Sequence, residues 1–409
     1  MTRVVVTGLG AVTALGSDWS SFSDAVHQGR SGIRVMHEWA DIKGLNTQLG
    51  GPVDGFQLTG DYPRKKMRSM GRVSQLATVA SRDALLMAGL LDDPLLTSGR
   101  TGIAYGSSTG STDAAREFAQ MLTDRDLTRI TATTYIKMMS HTTAVNLGVF
   151  FEIKGRVYPT SSACTSGSQA IGYAYEAIAS GRQDIMLAGG AEELCPTEAA
   201  VFDTFRSAST KNDTPNQTPS PFDAKRDGLV IGEGAGSLIL ESLEHAQARG
   251  ADIYGEVVGF GTNSDGGHVT QPDSDSMQVT MQLALKDAGL QTSDIDYLNA
   301  HGTATQYGDV TESQASYAVF QDRVPVSSCK GHLGHSLGAG GAIEAWACLH
   351  MMRDGWVMPT LNLNQVDANC APLQYVMGGV LTQSSVHMMS NNFAFGGINT
   401  SLIFKRYDD

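Results

Sequence analysis

Charge is scarce in this chain. Only 17% of its 409 residues are Asp, Glu, Lys or Arg, and the basic ones are the scarcer kind, which leaves a net charge of −13. That shortage argues against a nucleic-acid binder, because any basic footprint would have to be local. Cysteine is also limited: Cys164, Cys195, Cys329, Cys348 and Cys370 are an odd number at irregular spacing, with no CxxC pair. Neither a disulfide framework nor a metal site is signalled. No uninterrupted apolar stretch reaches the roughly 20 residues of a membrane span. The opening MTRVVVTGLGAVTALG reads as a strand and turn, too short and too broken by glycine for a signal peptide. These absences predict a soluble, reduced, cytoplasmic protein that binds no metal.

Glycine, by contrast, is abundant at 46 residues, so tight turns and close backbone approaches are expected, and 41% hydrophobic residues leave ample material for a core. Strand-length apolar runs alternate with helical patterns, the signature of an α/β architecture. Strands are expected at 3–7, 101–106 and 185–188, and helices at 73–88 and 170–180. The second half repeats that order, with strands at 254–259, 297–299 and 386–390 and helices at 277–288 and 342–352. The spacing predicts two pseudo-duplicated βαβ halves, 1–252 and 253–409, with the site where they meet. The Thr-, Asn- and Pro-containing segment 207–222 reads as a surface loop.

Chemistry concentrates at three points. Cys164 sits in TSSACTSGSQA, a turn of small residues before a helix. A helix N-terminus there would favour thiolate and offer backbone N–H groups to an oxyanion. His301, in NAHGTATQYGD, follows a strand and is succeeded by Gly302, Thr303, Thr305 and the carboxylate of Asp309. His335, in CKGHLGHSLGAGG, lies five positions after Lys330 in a glycine-punctuated loop. A cysteine served by two histidines suits thioester chemistry that also stabilises a carbanion. A buried Lys330 would need a partner, and Glu344 on the following helix is the candidate. The remaining cysteines read as small buried hydrophobes.

TSSACTSGSQAI, PFDAKRDGLVIGEGAG, AHGTATQYGD, KGHLGHSLGAGGAIE and NNFAFGGIN together resemble the signatures of elongating β-ketoacyl-acyl carrier protein synthases, condensing enzymes of the thiolase superfamily. The resemblance implies an α/β thiolase-like fold with a layered α-β-α-β-α core. It makes Cys164 the residue that takes the acyl chain from its carrier protein. Malonyl-carrier protein would then lose CO2, with His301 and His335 donating to the thioester oxygen and Lys330–Glu344 tuning the histidines. The N–H groups of Cys164 and Phe395 would form the oxyanion hole. Phe395, with its neighbour Phe393, would be the gate. Thr303, Thr305 and Thr270 would bind the pantetheine arm, and Phe202 and Thr109 would line the acyl pocket. No cofactor is implied beyond the 4′-phosphopantetheine that the carrier protein brings. Arg64, Lys65, Lys66, Arg68, Arg206 and Lys211 fall where an acidic carrier protein would dock.

Several positions depart from the pattern. Ala394 stands where Gly is usual and Ile398 where Thr or Ser is usual, which could bias the gate. His332 adds a third imidazole, and Thr109 replaces a bulky aliphatic, hinting at a longer or more polar chain. Fatty-acid elongation by a homodimer is one reading. The same condensation in a polyene or polyketide pathway, beside a chain-length-factor-like sister subunit, is another. A non-catalytic partner would lack the cysteine. A degradative thiolase would need a second catalytic cysteine, and an initiating synthase would carry Asn in place of His335.

Overall fold

The computed structural model describes residues 2–56, 58 and 62–408, which include every residue singled out above. Eleven strands form its main sheet: β1 (Val4–Val12), β2 (Thr101–Gly106), β3 (Val157–Thr160), β4 (Ile185–Glu192), β5 (Gly234–Ser242), β6 (Gly255–Ser264), β7 (Tyr297–Asn299), β8 (Pro325–Ser327), β9 (Gln374–Tyr375), β10 (His387–Phe393) and β11 (Ile398–Lys405). Their spatial order is β9-β8-β7-β10-β11-β6-β1-β5-β4-β2-β3. Within β1–β5 the order runs third, second, fourth, fifth, first. It recurs in β6–β11, with β9 as an added edge strand. Strand directions recur too, since β2 is parallel to both its neighbours, as is β7, and β5 and β11 are antiparallel to theirs. The halves join where Val4–Val6 of β1 pairs antiparallel with Gly255–Val257 of β6.

Among the helices of the described residues, seven bear on the site and its packing: α1 (Arg72–Met87), α2 (Thr142–Phe151), α3 (Ser166–Ala179), α4 (Pro196–Thr204), α5 (Ser274–Ala288), α6 (Gln306–Phe320) and α7 (Gly340–Asp354). Helices α3 and α7 pack on each other and touch strands of both halves, so they form the central layer. Helices α1 and α5 cover the outer faces. In α1 the buried residues Val73, Leu76, Ala77, Ala80 and Ala84 form one apolar stripe at helical spacing. The central helices are rich in small residues because their backbones pass close to neighbouring chain. A Cβ on Gly167 would lie 2.9 Å from the Gly338 carbonyl, and one on Gly341 would lie 2.5 Å from Asn392.

The duplication reaches single residues. Each half's first strand carries a bulge, which leaves Thr7 unpaired in β1 and Val258 in β6. Immediately after it come two glycines beneath the outer helix. A Cβ on Gly8 or Gly10 would lie 2.1 Å from the carbonyl oxygen of Ala84 or Ala80 of α1. On Gly259 or Gly261 it would lie 2.5 or 2.2 Å from that of Ala284 or Thr280 of α5. The N-terminal glycines, which read as a turn in the sequence, are therefore strand residues chosen for helix–sheet contact. Gly10→Ala is expected to lower stability by about 2–3 kcal/mol, since backbone cannot swing aside as a side chain can. A urea midpoint equal to wild type would contradict this packing. The segment 207–222 also differs from expectation: its end, 218–222, is buried, and Phe222 is fully enclosed in the second half's core.

Candidate active site

The reactive groups sit at equivalent points of the repeat. Cys164 lies between β3 and α3, and His335 lies between β8 and α7, so each follows the third strand of its half. A one-turn 3-10 helix, Ala163–Thr165, carries the thiol. Ala163 before it has φ +50°, a left-handed conformation that costs energy for a residue with a Cβ and bends the chain sharply. Serines and threonines hold this turn. Ser162 N–H donates to the Ser166 hydroxyl at 3.0 Å, Thr160 Oγ1 donates to the Ser166 carbonyl at 2.8 Å, and Thr165 Oγ1 donates to the Ser162 carbonyl at 2.7 Å.

His335 Nε2 lies 3.0 Å from Cys164 Sγ, across 171 residues of sequence. One ligand-capable atom from each of Cys164, His301 and His335 falls within 4.8 Å of the others. The two imidazoles meet edge to face, with centroids 5.1 Å apart and an 86° interplanar angle. The His335 backbone is fixed by bonds to Val230 (2.7 Å) and from Gly232 (2.9 Å). The backbone N–H groups of His301 and Gly302 each donate to one oxygen of the buried Glu312, both at 2.7 Å. Sequence reasoning missed Glu312, whose position on α6 becomes significant only once that helix folds back under the β7 end. Asp309 braces the same loop, accepting from Ala304 (3.0 Å) and Phe222 (2.7 Å).

Lys330 and Glu344 form a fully buried ion pair at 2.6 Å, and the second Glu344 oxygen accepts from the Asn392 amide at 2.6 Å. His332, the extra imidazole, stands outside this group. It is completely buried, and its Nδ1 is 2.9 Å from the Arg30 carbonyl, so it ties two loops together.

Burial governs the electrostatics. It pushes the Cys164 thiol up to about 12, against the opposing pull of Lys330 and of the Phe395 and Cys164 N–H groups. The helix N-terminus therefore does not by itself make a thiolate, contrary to the sequence expectation, because desolvation outweighs it. His301 and His335 are held well below the ordinary 6.5, first by burial and then by the Lys330 charge, so both are neutral near pH 7. The resting pair is thus thiol against neutral imidazole, and the 3.0 Å contact offers the thiol proton an acceptor. Acylation of Cys164 is accordingly expected to show no inflection near pH 6.5 and to fail only well below it. A pH series of single-turnover acylation that breaks at 6.5 would mean an imidazole open to water.

A cavity of about 780 Å³ leads to these groups. Cys164, His301, His335, Thr303, Thr305, Thr270, Phe202, Phe393 and Phe395 all line it. The hydroxyls of Thr303 and Thr305 are 3.0 Å apart. Phe395 packs on Phe202, with centroids at 5.2 Å, and on the exposed Phe205 at 6.3 Å. Only Gly396 and Gly397 of the gate turn have positive φ, +88° and +73°, so Ala394 carries no left-handed strain there. Thr109 is not on the cavity but exposed beyond it. Of the six basic residues, Arg206 alone lines the cavity. Lys66 is engaged by Glu152 and the Phe150 carbonyl, and Lys211 by the Lys225 carbonyl and Asp227, whereas Arg64, Lys65 and Arg68 are exposed.

Duplicated halves around two central helices, with the reactive groups at the strand ends, place the molecule among the thiolase-like condensing enzymes. Residues 1–246 match the β-ketoacyl synthase N-terminal domain and residues 254–364 its C-terminal domain. The chain belongs to the β-ketoacyl synthase family. It is 38% identical to 3-oxoacyl-[acyl-carrier-protein] synthase 1 of Escherichia coli K12, with all of both chains covered. Among solved structures it resembles a β-ketoacyl synthase from Burkholderia phymatum STM815, at 56% identity, TM-score 0.98 and full coverage of both chains. It also resembles the ishigamide ketosynthase/chain length factor, at 33% identity, TM-score 0.90 and full coverage.

Proposed function

We propose that this chain is an elongating β-ketoacyl-acyl carrier protein synthase. The observation that carries this reading is the 3.0 Å contact of Cys164 with a neutral His335, with His301 edge-on beside it at the floor of one cavity. In the first half-reaction the Cys164 sulfur attacks the thioester carbon of an acyl-carrier protein. The thiol proton passes to His335 and then to the departing carrier thiolate. The N–H groups of Cys164 and Phe395, which already point at the sulfur, hold the oxyanion. Malonyl-carrier protein then enters. Its carbon–carboxylate bond breaks, CO2 departs, and the electron pair is held as an enolate by His301 and His335. The enolate carbon attacks the acyl-cysteine, a carbon–carbon bond forms, and the Cys164 sulfur leaves as thiolate and takes up one proton from the solvent. Decarboxylation supplies the driving force, and the buried floor keeps water from the enolate.

In this reading Thr303, Thr305 and Thr270 contact the pantetheine arm, and the enzyme needs no cofactor of its own. The exposed Phe205, Val269 and Tyr307 at the cavity mouth, beside Arg206, suit a carrier protein with an apolar helix and acidic flank. No helix among the described residues is long and apolar enough to cross a membrane, and the proposal sets the reaction in the cytoplasm. A second reading is the same chemistry as one subunit of a heterodimer, which the likeness to the ishigamide ketosynthase/chain length factor favours.

The test is reconstitution. Purified chain, acyl-carrier protein and 13C-malonyl-carrier protein are expected to yield 3-oxoacyl-carrier protein carrying two labelled carbons, read by intact mass. Absence of product with every primer, alone and with a co-expressed sister subunit, would remove the proposal. Native mass of the purified chain separates a homodimer from a subunit awaiting its partner.

A further inference from the structure

The first half has its own polar cluster beside the nucleophile, at the strand ends equivalent to those that carry His301 and the gate. Glu192 ends β4 and is fully buried. One of its oxygens accepts the N–H groups of Ser108 (2.8 Å) and Gly338 (3.0 Å), and the other has no partner. Glu198, on the first turn of α4, is only 6% exposed, and no side chain meets its carboxyl, which has only the Cys195 backbone N–H beside it. The hydroxyls of Ser107 and Ser162 are buried and unpartnered as well. Glu192 is near enough to Cys164 to raise its thiol, and Glu198 is near enough to Glu192 to raise its own carboxyl.

Helix α4 connects this cluster to the cavity. Phe202, four residues after Glu198 and on the same helix face, lines the cavity beside Cys164. Ala199 and Phe202 pack in the same apolar cluster as Cys164. Burial pushes the Glu192 carboxyl up to about 7, and burial with the charge of Glu192 pushes Glu198 well above the ordinary carboxylate range, so Glu198 offers a donor as well as an acceptor near pH 7. So many unmet hydrogen-bonding atoms behind one nucleophile are costly unless a guest supplies partners.

We propose that Glu198, with Glu192 and the Ser162 hydroxyl, is a hydrogen-bonding subsite for the acyl chain, selecting chains that carry a hydroxyl or carbonyl oxygen over plain alkyl chains. This rests on the reading of Cys164 as the acylated residue and names the substrate class of that same site. A site built to bond an oxygen discriminates strongly against an analogue that lacks it.

The experiment compares transfer to Cys164 from paired carrier-protein thioesters of equal length, one hydroxylated along the chain and one not, followed by intact mass. Wild type is expected to prefer the hydroxylated member by about tenfold or more. Glu198→Gln keeps donor and acceptor and should hold that preference within about threefold. Glu198→Leu should abolish or invert it, and its thermal midpoint should equal or exceed wild type because unmet polar atoms are removed. If the leucine variant does not fold, Glu198→Ala carries the same comparison. Equal preference in wild type and variants overturns the subsite while leaving the condensing reading intact. Failure of every thioester to acylate wild-type Cys164 overturns both.

Discussion

Cys164→Ala is expected to lower condensation by roughly 10⁴-fold or more while leaving decarboxylation of malonyl-carrier protein within about tenfold of wild type. The two effects separate because the groups are separate. In the proposed mechanism the Cys164 sulfur holds the acyl chain, whereas the enolate would rest on His301 and His335, whose backbones are fixed by Glu312, Val230 and Gly232 and not by Cys164. None of the other four thiols lines the cavity. Cys329 and Cys348 are buried with thiols pushed up, first by burial and then by the Glu344 carboxylate. Intact mass should find no acyl adduct on the variant, while CO2 release continues. Equal loss of both activities would mean that the thiol also organises the histidines. An adduct elsewhere would shift the nucleophile to another residue.

Glu344→Ala should cost about 3–5 kcal/mol, the largest stability effect anticipated in the molecule. It strands the Lys330 ammonium in a fully buried position and removes the acceptor of the Asn392 amide at once. Replacing both charges, as Lys330→Met with Glu344→Leu, should recover most of that loss, since a buried pair gains little over apolar side chains of similar volume. Activity should not recover with it. The Lys330 charge lowers the Cys164 thiol and helps hold both imidazoles neutral. Without that charge the thiol becomes still harder to ionise, and the histidine pKa values rise toward 6.5, moving the acid limb of the acylation profile upward. Urea midpoints at constant slope, set beside that profile, check both halves of the expectation. A double variant as unstable as Glu344→Ala would mean that shape, and not charge, decides the cost.

Much of this was legible because the chemistry lies in short local patterns. A cysteine among serines before a helix, histidines beside glycines after strands, and Phe393–Ile398 between two strands are readable one window at a time. Other expectations failed for one shared reason. Gly8 and Gly10 look like turn residues until α1 lies across them. His332 is an unexplained extra imidazole in the sequence until the Arg30 carbonyl is found against it. Glu198 attracts no notice in a sequence, since a glutamate on a first helical turn is ordinary, and only its burial without a partner makes it unusual.

The sequence by itself determined the residue types at each strand end, the alternation of elements and the repeat of their order, because period and punctuation are local properties of a chain. The tertiary structure alone decided that a thiol and an imidazole 171 residues apart stand 3.0 Å from each other. It also decided that both imidazoles are neutral and that the thiol is not ionised. Those outcomes depend on what the folded halves exclude, which is water. Desolvation and the field of a buried lysine belong to the packed interior and not to any stretch of sequence.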